Sequence, residues 1–127
     1  MIGKYSLLQI ALVLMGVTAL ALYPLSIVWP AGWSWHAGPP MASHYFMMIV
    51  GLYATLGVFL IAAARNPAAN ASLIWFTVVS SVVHAAIMAV QACGDPMQRG
   101  HLIGDVPALL LGAVVVAGLM LRERPRG

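Results

Sequence analysis

The sequence predicts an all-α integral membrane protein, a four-helix up-down bundle forming one domain over residues 1–127. Three observations predict it. Hydrophobic residues make up 62% of the chain and charged residues only 7%, where a soluble domain carries roughly a quarter. The mean hydropathy is +0.95. Four apolar stretches, at about 5–29, 41–64, 71–91 and 102–121, each come close to the ~20 residues that a helix needs to cross ~30 Å of hydrocarbon. A barrel is excluded because runs such as Ala11-Leu12-Val13-Leu14-Met15 do not alternate.

The first stretch is too long for a removable signal, and no A-x-A site leads into a soluble mature domain. Pro24 weakens it near its end. The connection Trp29–Pro40 holds three tryptophans, Trp29, Trp33 and Trp35, which belong at the headgroup boundary and mark a tryptophan-rich outer loop. The second stretch ends at Arg65-Asn66-Pro67, and Asn70 is placed to cap the third. The third ends in the glycine-proline turn Gly94-Asp95-Pro96. Pro107 is comfortable only in a first helical turn, which leaves two readings of the fourth. Either it starts near Leu102 and kinks at Pro107, or it starts at Val106 behind a structured loop with Asp105 as its cap.

Basic residues predict the orientation. With four crossings, one side carries Lys4, Arg65, Arg122, Arg124 and Arg126, and the other Arg99 alone. Both termini are therefore expected in the cytoplasm. The net charge of +3 comes largely from this tail and is no nucleic-acid footprint. Cys93 is alone, so neither an intrachain disulfide nor a cysteine metal cluster can form.

With that orientation, all four histidines and Asp95 and Asp105 fall in the outer third. His84 lies thirteen residues beyond Ala71, about 20 Å up the third helix. His84, Met88 and Gln91 share one face at i, i+4 and i+7, His44 and Met48 repeat i, i+4, and so do His101 and Asp105. Ionisable groups inside a membrane are costly and mark functional sites. The candidate ligand-binding residues are thus His44, His84, Met88, Gln91, His101 and Asp105, gathered in an outward-facing polar pocket. The bland readings stand beside this one. His84 can be interhelical polar glue, His44 an interfacial residue, His36 a surface residue and Asp105 a helix cap.

Histidine with aspartate suits zinc or iron, and His44, His84, His101 and Asp105 would be a permissible metal shell. None of the tight spacings that identify a metal site is present. No glycine-rich phosphate loop, G-x-S-x-G or pair of deep carboxylates occurs either. Ser81, Ala85 and Ala89 form a small-residue ridge that predicts close helix packing, and with only four helices it offers a homo-oligomer contact.

The stretch His44–Leu111, with Gly51-Leu52-Tyr53, Ala64-Arg65-Asn66-Pro67, His84-Ala85 and Gly100-His101-Leu102-Ile103-Gly104-Asp105-Val106-Pro107, resembles small bacterial four-helix membrane proteins, broadly DoxX-like. The resemblance implies a bacterial inner-membrane location, a subunit role in a membrane complex, and a quinone as one class of ligand. It carries no quinone site residue across. The sequence therefore predicts an accessory or small-ligand-binding membrane subunit. A redox or metal-dependent enzyme using the His/Asp cluster is the alternative, and an oligomeric transporter a weaker one.

Overall fold

Each helix starts and stops where its sequence gives the backbone a partner or takes one away. The computed structural model describes residues 5–33, 41 and 43–123. His36, Trp35 and the basic residues Lys4, Arg124 and Arg126 lie outside the described residues, and with them most of the tryptophan-rich loop.

Helix α1 (Leu7–Leu20) opens with a capping box. Gln9 N–H donates to Ser6 Oγ at 3.2 Å and Ser6 N–H to Gln9 Oε1 at 2.9 Å, so two orphan donors are satisfied reciprocally. The Gln9 amide also donates to the Ala64 carbonyl at 2.8 Å, and Leu8 N–H reaches Glu123 Oε1 at 3.4 Å. The start of α1 is thereby tied to the ends of two later helices.

The first apolar stretch is not one helix, as its length had predicted. It bends by 59° between α1 and α2 (Leu22–Val28). The break at Ala21 lies just before Pro24 because the proline ring clashes with the carbonyl four residues back, that of Leu20. A four-residue turn, α3 (Pro30–Trp33), folds Gly32 against Gly104. The approach is backbone to backbone: a Cβ on Gly104 would stand 2.5 Å from the Gly32 carbonyl oxygen.

Helix α4 (His44–Ala63) is capped by Ser43, whose Oγ accepts from Phe46 N–H at 3.1 Å. Helix α5 (Ala71–Gly94) follows a short 3₁₀ turn at Ala68–Asn70. Asn70 does occupy the N-cap of α5, but its side chain does not cap: it donates backwards to the Asn66 carbonyl at 2.9 Å. Asn66 instead accepts from Ala69 N–H. A second 3₁₀ segment (Pro96–Leu102), capped by Asp95 on Met97 N–H, leads to α6 (Asp105–Arg122). The fourth stretch therefore starts at Asp105 behind a structured loop, with Pro107 in its first turn. Asp105 does not cap α6; that position belongs to Gly104.

The helices pack mainly as two pairs, α1 on α4 and α5 on α6, joined through α1 and α6. Gln9 meets Ala64 while Gly16 meets Gly57, so α1 and α4 run antiparallel. One end of the bundle is closed by a core that includes Leu12, Leu60, Ile74 and Val116. The other end has only a small cluster of Ala85, Met88 and Val106. That asymmetry leaves room for a site.

The outer surface is apolar. Leu52, Val90, Leu111 and Val114 are each about seven-tenths exposed. Three helical segments, His44–Ala63, Ala68–Gly94 and Pro96–Arg122, are long and apolar enough to cross a membrane, and the bent pair α1–α2 makes up to four. The ridge of Ser81, Ala85 and Ala89 is spent inside the chain, not offered to another copy. Ser81 and Ala85 are buried, and Ala85 and Ala89 pack with Val106 and Leu109 of α6.

Candidate ligand-binding cavity

Where the two helix pairs part, they leave a half-open cavity of about 800 Å³, whose rim includes the exposed side chains of Tyr45 and Leu111. Its walls come from one face of each helix. On α4 that face is Phe46, Ile49, Tyr53, Leu56 and Leu60, spaced i, i+3, i+7, i+10 and i+14. On α5 it is Ser81, His84, Met88 and Gln91, and on α6 Asp105, Ala108, Leu109 and Gly112. Helix α1 contributes Ala11, Met15 and Ala19, and Trp33 of α3 covers part of the other end.

The lining is largely apolar, with a few polar groups that converge. The Tyr53 hydroxyl hydrogen-bonds His84 Nδ1 across the seam between α4 and α5, the rings tilted by 38° with centroids 5.7 Å apart. With Tyr53 as donor, Nδ1 is the acceptor and the ring hydrogen sits on Nε2. His84 makes no other hydrogen bond among the described residues. Ser81 makes none either, although it is buried, and no buried polar atom is left unpaired among the described residues. Its hydroxyl therefore opens onto the cavity it lines. Asp105 closes the polar set, its Oδ1 held at 2.8 Å by Nδ1 of His101, which is fully buried.

Four of the six predicted site residues, His84, Met88, Gln91 and Asp105, meet on this cavity. The other two do not line it. His101 stands behind Asp105 as its partner, so it positions the carboxylate without touching the cavity. His44 is exposed at the first residue of α4, and Met48, one turn on, is exposed with it, so this pair faces away. The imagined four-ligand shell is thus spread over three surroundings. Among the described residues no three His, Cys, Asp or Glu side chains come together to hold a metal ion.

Sequence reasoning missed Tyr53. The signal was available in two forms. A histidine in the middle of an apolar helix needs a polar partner, and α4 holds a tyrosine on the stripe through Phe46, Ile49, Leu56 and Leu60. The His44–Met48 spacing follows a face of that helix that does not line the cavity.

No curated protein and no solved structure matches the chain. One family model does, over residues 2–124, and on that match the chain belongs to DUF6632, a family of unknown function.

Proposed function

We propose that this is a small multi-pass membrane protein that binds a mostly apolar molecule between its helices and reads that molecule's polar head with Tyr53, Ser81, His84 and Asp105. The cavity carries this reading. Ligand sites are typically ~300–1,000 Å³, largely apolar, with a few placed polar groups, and this one has that size and lining.

The chain crosses the membrane four times in this reading, the bent α1–α2 pair serving as the first crossing. Both termini and the Arg65 turn lie on the cytoplasmic side of an inner membrane, in line with the basic-residue bias. The cavity then opens in the outer half. The role is that of an accessory, ligand-holding subunit; the DoxX-like resemblance adds no residue to it.

Trp33 lines the cavity and reports on it. In a chain with Trp29, Trp35 and Trp75 replaced by phenylalanine, 6-bromo-2-naphthol, an apolar bicycle with a hydroxyl head, should quench Trp33 saturably. Ala108→Phe, which fills the cavity wall, should abolish saturation. Quenching that rises linearly with probe and ignores Ala108→Phe would count against a site.

A further inference from the structure

The cavity holds its polar groups at a depth that an ordinary lipid head does not reach. Tyr53 is the tenth of the 20 residues of α4, and Ser81 and His84 are the eleventh and fourteenth of the 24 of α5. At 1.5 Å per residue, all three lie within about 3 Å of a helix midpoint. In the four-crossing reading that is the centre of the bilayer, about 15 Å from either headgroup boundary.

Ser81 points most directly to a ligand. Its side chain is only 4% exposed, it lines the cavity, and its hydroxyl makes no hydrogen bond among the described residues. A hydroxyl inside a helix commonly returns to the carbonyl four residues back, as Thr77 does to Leu73 at 2.8 Å. Ser81 does not. His84 stands three residues on, along the same face, and because Tyr53 occupies Nδ1, its Nε2–H is left to donate elsewhere. Two donors thus share a largely apolar wall, their Cβ atoms about 5–6 Å apart. One oxygen with two lone pairs can accept from both.

Charge narrows the class further. Among the described residues no lysine or arginine lines the cavity, so an anionic head would find no cation to pair with. A cationic head would have to take Asp105 from His101, which already holds it at 2.8 Å. An uncharged acceptor needs neither. An acceptor-only oxygen also brings no donor of its own that would be left unpaired in hydrocarbon.

Building on the ligand-cavity reading above, we propose that the ligand is an uncharged, membrane-dissolved molecule whose head is a carbonyl oxygen, accepting from Ser81 O–H and His84 Nε2–H at the bilayer centre. It reaches them sideways from the lipid, past the open rim at Tyr45 and Leu111. No covalent bond changes.

Four naphthalenes separate the head from the apolar body. 2-Acetylnaphthalene carries the carbonyl, and 2-isopropenylnaphthalene has its shape with a methylene in place of the oxygen. 2-Naphthoate and 2-naphthyltrimethylammonium carry a negative and a positive head at neutral pH. Titration calorimetry of the whole chain in nonionic micelles, with the Ala108→Phe chain as blank, should show saturable binding of the ketone. The alkene and both ions should bind at least tenfold more weakly. Ser81→Ala and His84→Phe should each weaken the ketone about three- to tenfold and leave the alkene unchanged. The infrared carbonyl band of bound ketone should stand lower in the wild type than in Ser81→Ala, because each donor weakens the C=O bond. The wild-type comparison and Ser81→Ala decide the matter if His84→Phe fails to fold. Equal binding of ketone and alkene, tighter binding of either ion, or a carbonyl band that Ser81→Ala does not move overturns the proposal while the cavity reading survives. Saturable binding of none of the four sinks both.

Discussion

Gly16 and Gly57 set the crossing of α1 over α4, and replacing either should cost more than a glycine in a helix normally does. A Cβ on Gly57 would stand 2.5 Å from the Gly16 carbonyl oxygen and 3.0 Å from Leu20 Cγ. A Cβ on Gly16 would stand 2.7 Å from the Gly57 carbonyl oxygen and 2.7 Å from Ile61 Cγ1. Both obstructions include backbone, which cannot rotate away. Ordinary contact begins near 3.4 Å, so the helices must part by 0.7 to 0.9 Å along a seam that also carries Leu12 and Leu60. Overpacking of this kind costs about 1–3 kcal/mol, against about 1 kcal/mol gained from alanine's helix propensity. Net destabilisation of up to about 2 kcal/mol is expected for Gly57→Ala. Gly51 and Gly118 have nothing within 4 Å of the same position, so alanine there should leave stability unchanged or raise it. The double variant Gly16→Ala/Gly57→Ala should fall short of additivity, because the first substitution has already separated the helices. Reversible unfolding in mixed micelles measures all of these. If Gly57→Ala is as stable as Gly51→Ala, the close crossing does not exist.

Other expectations follow the same logic. His101→Leu leaves a buried carboxylate without its Nδ1 donor and should destabilise by about 3 kcal/mol, while His101→Leu/Asp105→Leu should recover much of that loss, by the same unfolding assay. Tyr53→Phe removes the link between α4 and α5 and should cost about 1 kcal/mol, with faster amide exchange around His84. Ala85→Leu should lower stability by about 1–3 kcal/mol without changing the mass measured by light scattering, since Ala85 is buried against α6. Gln9→Leu should lose about 1 kcal/mol by uncapping α4 at Ala64.

The helices were legible because a chain that must satisfy its own backbone in lipid advertises each crossing by length and apolarity alone. Their ends were less legible. Asn70 sits at a capping position by composition, yet its side-chain amide donates backwards to the Asn66 carbonyl and leaves the α5 amides uncapped. The α1–α2 bend was foreshadowed by Pro24, but the size of a bend depends on what the following turn packs against, here Gly32 on Gly104. Helical periodicity on α5 puts His84, Met88 and Gln91 on the face that lines the cavity. On α4 the lining face runs through Tyr53, while His44 stands on a face that looks outward. Nothing in the spacing of Tyr53 and His84, thirty-one residues apart, announces their hydrogen bond; the antiparallel packing of the helices creates it.

The central claim is that the space between the helix pairs holds a small molecule. Native mass spectrometry of the chain isolated from its own membranes in nonionic detergent tests it most directly. A non-covalent adduct at one per chain, retained by the wild type and lost from Ala108→Phe, is the predicted result. A bare polypeptide from both, or an adduct that Ala108→Phe leaves in place, would contradict it.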